Sequence, residues 1–297
     1  MPTLESHNGY YLWHYIPSIA AAIVFVIIFA VVTIAHLWRL IRTRMWFCLP
    51  FVIGGFFEVI GYCGRAAAPN KTGDLIPYIL QSIFLLLAPV LFAASLYMTL
   101  GRLIRAVQAE RYSIIPPRWL TKVFVTGDIF SFLIQGSGAG IMVQGKADSM
   151  KTGQNVVIGG LILQVVMFAL FIVTGLHFHL RFRRHGSIEA WAQVPWQGTL
   201  HMLYITSSFV MVRNIFRVVE YACGSDGYLL STEWPLYVFD GVLMLFTMSW
   251  FFWRYPSELK QLQSQSGSDV QMSSMDEDSA AQPSDEPRKR WRRSHDP

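Results

Sequence analysis

The sequence predicts an all-α polytopic membrane protein, a bundle of seven transmembrane helices with the N-terminus outside and the C-terminus cytosolic. Three observations predict it. The 297 residues are 53% hydrophobic and only 14% charged, whereas soluble domains hold about 25% charged residues. Seven stretches approach the roughly 20 apolar residues that a helix needs, at about 1.5 Å of rise each, to cross about 30 Å of hydrocarbon. Lys and Arg are dense in alternate loops, and the dense loops face the cytosol.

Spans one, three and five, near Ile16 to Ala35, Leu75 to Leu100 and Val156 to Phe178, contain no Asp, Glu, Lys or Arg. The other four, near Trp46 to Gly64, Val123 to Val143, Leu200 to Ala222 and Trp234 to Trp253, carry charge. In hydrocarbon the backbone must satisfy its own polar groups, so segments of this length without strand alternation read as helices. Arg39, Arg42 and Arg44 follow span one; Arg102, Arg105, Arg111, Arg118 and Lys122 follow span three; Arg181, Arg183 and Arg184 follow span five; Arg254 and Lys260 follow span seven. The opposite loops hold Arg65, Lys71, Lys146 and Lys151. The net charge of +5 is therefore a topology signal, and nucleic acid is not an expected partner.

Residues 1–15 are read as an external segment, 16–255 as the membrane domain and 256–297 as a disordered cytosolic tail. The N-terminus has Glu5 and no basic region, so span one is expected to remain rather than be cleaved. The tail is rich in Ser, Gln, Asp and Glu and has too little apolar surface to offset its ordering entropy. Its basic cluster, Arg288 to Arg293 around Trp291, either rests on anionic lipid or is solvated. Cys63 and Cys223 both fall at outer span ends, where either an external disulfide or two small buried side chains is expected.

Ionisable groups at membrane depth are costly and face the bundle interior. Glu58, Tyr62 and Arg65 share i, i+4, i+7 spacing in span two, Arg213, Arg217 and Glu220 in span six, and Glu233, Tyr237 and Asp240 in span seven. Each trio lies on one face of an α-helix. With Gln81 and Gln164 they are expected to converge on an interior volume biased toward the outer leaflet. Four acids, Glu58, Asp128, Glu220 and Asp240, face three bases, Arg65, Arg213 and Arg217, so one carboxylate lacks a full cationic partner. Asp128, on the cytosolic side of span four with Gln135 seven residues on, is the expected one. Gly136, Gly138 and Gly140 are expected to admit a neighbouring helix or to let this one deform, and Pro89 to kink span three or free a carbonyl.

These residues also carry a resemblance. Glu58-x-x-Gly61-Tyr62-x-x-Arg65, Gln81 with Ala88-Pro89 and Tyr97, Asp128 with Gln135, Gly160-Leu161 with Gln164, Arg213-x-x-x-Arg217-x-x-Glu220, and Glu233 with Tyr237 and Asp240 occur in order on consecutive spans. In this the chain resembles the fungal RTA-like, or lipid-translocating exporter, family. The resemblance implies resistance to aminosterols and export of sphingoid long-chain bases. It implies a membrane lipid or amphiphile as partner and a location in the plasma membrane or an endomembrane.

The expected function is ATP-independent transport, flipping or binding of amphiphilic lipids. No G-x-x-x-x-G-K-[ST] segment occurs, and no cofactor or enzymatic activity is expected. A seven-helix receptor is an alternative that shares this topology; a retinal protein is disfavoured, because Trp234 to Trp253 contains no Lys. A metal hydrolase built on His36, His177, His179 and His201 is a weaker alternative, since His177 and His179 point to different helix faces.

Overall fold

The computed structural model describes residue 13, residue 15 and residues 17–70, 74–142, 147–185, 196–223 and 232–256. Residues 71–73, 143–146, 186–195, 224–231 and 257–297, with most of the first sixteen, lie outside the described residues, and with them most of the segment read as external and the tail read as cytosolic with its basic cluster.

The described residues form helices and contain no strand. Helix α1 spans Ile19–Thr43, α2 Leu49–Ala67, α3 Leu75–Ala106, α4 Pro117–Met142, α5 Ala147–His185 and α6 Trp196–Ala222. Helix α7, Leu236–Trp253, is π-helical over Leu236–Val242 and α-helical over Leu243–Trp253. Local signals set the ends. The Ser18 hydroxyl accepts from the Ala21 N–H, and Arg44 turns into the left-handed region (φ 53°) to stop α1. Pro50 enters the first turn of α2, where its missing N–H costs nothing.

All of these except α4 are long and apolar enough to cross a membrane among the described residues. The outer surface agrees. Ile23, Ile27, Val31, Ile34, Trp38 and Ile41 run along α1 exposed, an apolar stripe larger than a soluble monomer tolerates. The chain is an integral membrane protein.

Helix α3 is central, packed against α2, α4 and α6, while α1 rests on α2 and α7, α5 on α4 and α6, and α6 on α7. The α4–α5 contact is the closest backbone approach. A Cβ on Gly138 would stand 2.7 Å from the Gly153 carbonyl oxygen, and one on Gly153 2.6 Å from that of Gly138. Of the glycines expected to admit a neighbour only Gly138 does so. Gly136 and Gly140 meet open space, because at 100° per residue positions two before and two after a buried one fall on the opposite side.

Candidate functional site

The interior polar residues gather at the end of the bundle formed by the start of α1, the close of α2, the start of α3, the close of α6 and the π-helical start of α7. Arg65 is fully buried there. Its Nε donates to Tyr237 Oη at 3.0 Å, Nη1 to Gln81 Oε1 at 3.2 Å, and Nη2 to both Tyr15 Oη and Glu233 Oε1 at 2.8 Å. Glu233 Oε1 also accepts the Ser18 backbone N–H at 2.8 Å. The guanidinium stacks 4.9 Å from the Tyr237 ring, and Trp13 and Tyr15 cover it from the chain preceding α1. Burial raises the Tyr15 hydroxyl above its ordinary range, with the Arg65 charge opposing, so Tyr15 is a neutral acceptor.

A second cluster lies beside the first. Asp240 sits between two arginines of α6: Arg213 Nε is 3.0 Å from Oδ1, off the hydrogen-bonding axis, Arg217 Nε donates to Oδ1 at 3.2 Å, and Arg217 Nη2 pairs with Oδ2. Arg217 Nη1 donates to Glu220 Oε2 at 2.9 Å. Arg213 Nη2 donates to the Leu85 carbonyl in α3 at 2.6 Å.

The π-helical segment explains why Tyr237 and Asp240 serve different clusters. An α-helix would set Glu233, Tyr237 and Asp240 on one face. The i→i+5 pairing of a π-helix turns each residue through a smaller angle and separates them, so Tyr237 meets Arg65 on α2 and Asp240 meets the arginines of α6. Gly241 opens the space between. A Cβ there would come within 2.6 Å of Tyr62 Oη, and the Tyr62 ring stacks on Phe25 and Phe29 at 5.2 and 5.4 Å.

Two buried carboxylates form no direct ion pair among the described residues, although Glu58 lies in the field of Arg213 and Arg217. Glu58 is 1% exposed and its Oε2 has no hydrogen-bond partner among the described residues. Asp128, also 1% exposed, accepts the Tyr97 hydroxyl on Oδ2 at 2.7 Å, while Oδ1 has no partner. Tyr97 is held by Phe171 and Phe124, with ring centroids 4.6 and 5.3 Å away. Gln135 Nε2 donates to Gln164 Oε1 at 2.9 Å across the α4–α5 contact, leaving Gln135 Oε1 unpaired. The candidate residues therefore divide: Arg65, Gln81 and Tyr237 in one cluster, Arg213, Arg217, Glu220 and Asp240 in the next, Glu58 and Tyr62 with unpartnered oxygens on α2, and, apart from these, Asp128 on α4 and the Gln135–Gln164 pair between α4 and α5.

The histidines serve other ends. His36 Nε2 bonds the Met248 carbonyl oxygen at 3.0 Å, His179 Nδ1 bonds Tyr204 Oη at 3.1 Å, and His177 and His201 are exposed. No group of three His, Cys, Asp or Glu among the described residues is placed to hold a metal. Cys63 and Cys223 are free and exposed, and Cys48 is free and buried.

Residues 51–263 match the family model described as RTA1 like protein. This chain belongs to the RTA1-like family. It is 35% identical over 280 residues to protoporphyrin uptake protein 1 of Saccharomyces cerevisiae, covering 82% of this chain and 91% of that one. To protein RTA1 of the same yeast it is 31% identical, covering 84% and 86%. To the sphingoid long-chain base transporter RSB1 it is 27% identical, covering 77% and 69%. No solved structure matches.

The RTA1-like region contains every candidate residue from Glu58 to Asp240. Residue-type counting does not reach several participants, among them Tyr15 and Trp13, which carry no polar stripe to mark them. Glu233 lies just before span seven and outside the count of membrane acids, yet it is the ion-pair partner of Arg65. Tyr97 was noted only within a motif; as a phenol in an otherwise uncharged span it had to find an acceptor. The Leu85 carbonyl carries no side-chain signal, yet Pro89 four residues later announces it.

Proposed function

We propose that this RTA1-like protein is an ATP-independent transporter of amphiphilic lipids, moving or binding amine-bearing molecules such as sphingoid long-chain bases and aminosterols. The observation that carries this reading is Asp128, a buried carboxylate with one oxygen unpartnered and no ion pair among the described residues; Glu58, whose Oε2 is also unpartnered, lies in the field of Arg213 and Arg217. An uncompensated acid in low dielectric is costly, and a lipid ammonium is a mobile charge that relieves it. The named activity of the long-chain base transporter supports the same class. The porphyrin named in another relative is an acidic amphiphile, for which an arginine would be the natural partner.

In this reading α4 is a seventh crossing. Its 26 residues extend about 39 Å at 1.5 Å each, and it turns Ile129, Phe130 and Leu133 outward while Asp128 faces in. The basic loops then set the N-terminus outside and the tail in the cytosol. The Arg65 and Asp240 clusters fall in the outer half, and Asp128 falls toward the cytosol as a loading site. The basic tail cluster rests on anionic lipid of the same leaflet, in the plasma membrane or an endomembrane.

The test is reconstitution in liposomes with a fluorescent long-chain base and, separately, protoporphyrin. Protein-dependent movement of the base between leaflets is the expected result. Equal rates with and without protein overturn the proposal, and movement of the porphyrin alone reverses the sign of the substrate.

A further inference from the structure

Glu58 stands buried on α2, and three charged groups of the neighbouring helices act on it: Arg213 and Arg217 of α6 and Asp240 of α7. Glu220 joins the group through its ion pair with Arg217. On α2 itself Tyr62, one turn along, keeps its hydroxyl without a partner, and Arg65, in the adjoining cluster with Tyr237, is balanced by Glu233. The buried titratable groups of α1 and α3 among the described residues are engaged elsewhere: His36 stacks on Phe51, two turns along α2, and Tyr97 bonds Asp128. Two guanidiniums therefore face three carboxyl groups, those of Glu58, Glu220 and Asp240.

The bonds show which carboxyl is the odd one. Asp240 pairs with both arginines and Glu220 with Arg217, whereas Oε2 of Glu58 accepts nothing. Arg213 is the leading charge acting on Glu58, yet its Nε makes no hydrogen bond either. A donor and a carboxylate oxygen that both stay bare inside a bundle are costly while charged. A proton on the carboxyl removes that cost and needs no cavity.

We infer that Glu58 is a proton-binding site, holding the exchangeable proton that neutralises this cluster, and that this proton decides where Arg213 bonds. With Glu58 neutral, Arg213 Nη2 serves the Leu85 carbonyl and Asp240 flanks Nε. When the proton leaves to water, the Glu58 carboxylate competes for the same guanidinium, and Leu85, which Pro89 deprives of its helical donor, loses the substitute. Helix α3 is then released from α6 at that point. The consequence for transport rests on the reading above: a carrier without a nucleotide site draws on a proton gradient here.

The experiment uses the full-length protein in liposomes. Glu58→Gln fixes the neutral form, so its melting temperature should stay near wild type. At neutral pH the infrared carbonyl band of a protonated carboxylic acid, shifted by deuterium oxide, is expected in wild type and in Asp128→Asn, and its Glu58 component should vanish in Glu58→Gln. As pH rises, amide exchange in the α3 peptide containing Leu85 and Pro89 should accelerate in wild type relative to α5 by up to about tenfold per pH unit, the limit for one proton, and stay level with α5 in Glu58→Gln. An infrared band unchanged by Glu58→Gln, a strongly lowered melting temperature in that variant, or the same exchange profile in both proteins overturns the proposal. Transfer of a long-chain base between leaflets under an imposed pH difference separates the two readings. Wild type should respond to the gradient and Glu58→Gln should not; protein-dependent transfer in wild type that ignores the gradient overturns the coupling. Absence of any transfer, with the infrared and exchange results as expected, removes the transporter and keeps the proton site.

Discussion

Arg213 donates to the carbonyl of Leu85, the acceptor that Pro89, four residues further along α3 and without an N–H, leaves unserved. A guanidinium of α6 thus replaces the missing bond of the central helix while Asp240 holds the same guanidinium from α7. Pro89 is tolerated because this donor is there, and the arrangement joins α3, α6 and α7 at one point.

The first prediction tests that coupling. Arg213→Ala should destabilise strongly, by about 3 to 5 kcal/mol, because it strips Asp240 of one cation as well as Leu85 of its donor. In a Pro89→Ala background the restored N–H serves Leu85. The same change should then cost less by about 1.5 to 3 kcal/mol, the worth of a hydrogen bond from a charged donor. Thermal unfolding of the four proteins in detergent gives the cycle; strict additivity would show that the arginine is not serving the proline-freed carbonyl.

Arg217 bridges Glu220 and Asp240, so its removal leaves two buried acids facing one another. Arg217→Ala should lower folded yield and melting temperature more than Glu220→Gln, which leaves the Asp240 pair intact. Wild-type stability and resistance in Arg217→Ala would place the arginine outside any energetically significant network.

The sequence made the helices legible wherever composition alone decides. Charge-free spans one, three and five reappear as α1, α3 and α5, and the polar trios do face inward. What composition does not encode is helical phase and backbone acceptors. The π-helical segment at Leu236–Val242 separates Tyr237 from Asp240, so stripes read at α-helical spacing merged two clusters into one. Asp128 has no ion pair among the described residues, whereas Glu58 keeps Arg213 and Arg217 nearby without a hydrogen bond on Oε2, because Glu233 takes up Arg65 and Arg213 divides itself between Leu85 and Asp240. Helix α4 is the one long helix that lacks a sufficiently apolar stretch of membrane-crossing length among the described residues, and its buried face carries Asp128, Ser131 and Gln135.

The topology prediction addresses that helix. In a protein lacking Cys63 and Cys223, single cysteines at Thr72, Ser113 and Ser149 are treated with an impermeant maleimide in intact cells. If α4 crosses, Thr72 and Ser149 should react and Ser113 should not. Ser149 behaving like Ser113 would leave α4 on one side and the chain with six crossings, and reaction at Ser113 alone would invert the orientation.

The last prediction compares two buried aspartates whose surroundings differ. Asp240 balances Arg213 and Arg217, so Asp240→Asn uncovers two guanidinium charges and should reduce folded, membrane-inserted protein. Asp128 forms no ion pair among the described residues. Its only bond among the described residues is the Tyr97 hydroxyl, which an Asn amide oxygen accepts equally well. Asp128→Asn should therefore keep expression and melting temperature near wild type and yet abolish protection of cells against cationic amphiphiles. Tyr97→Phe supplies the control: it removes the bond and keeps the charge, so substrate still binds and protection should survive, weakened. If Asp128→Asn retains full protection at normal expression, the carboxylate is a packing element of α4, and ammonium recognition must move to Glu58.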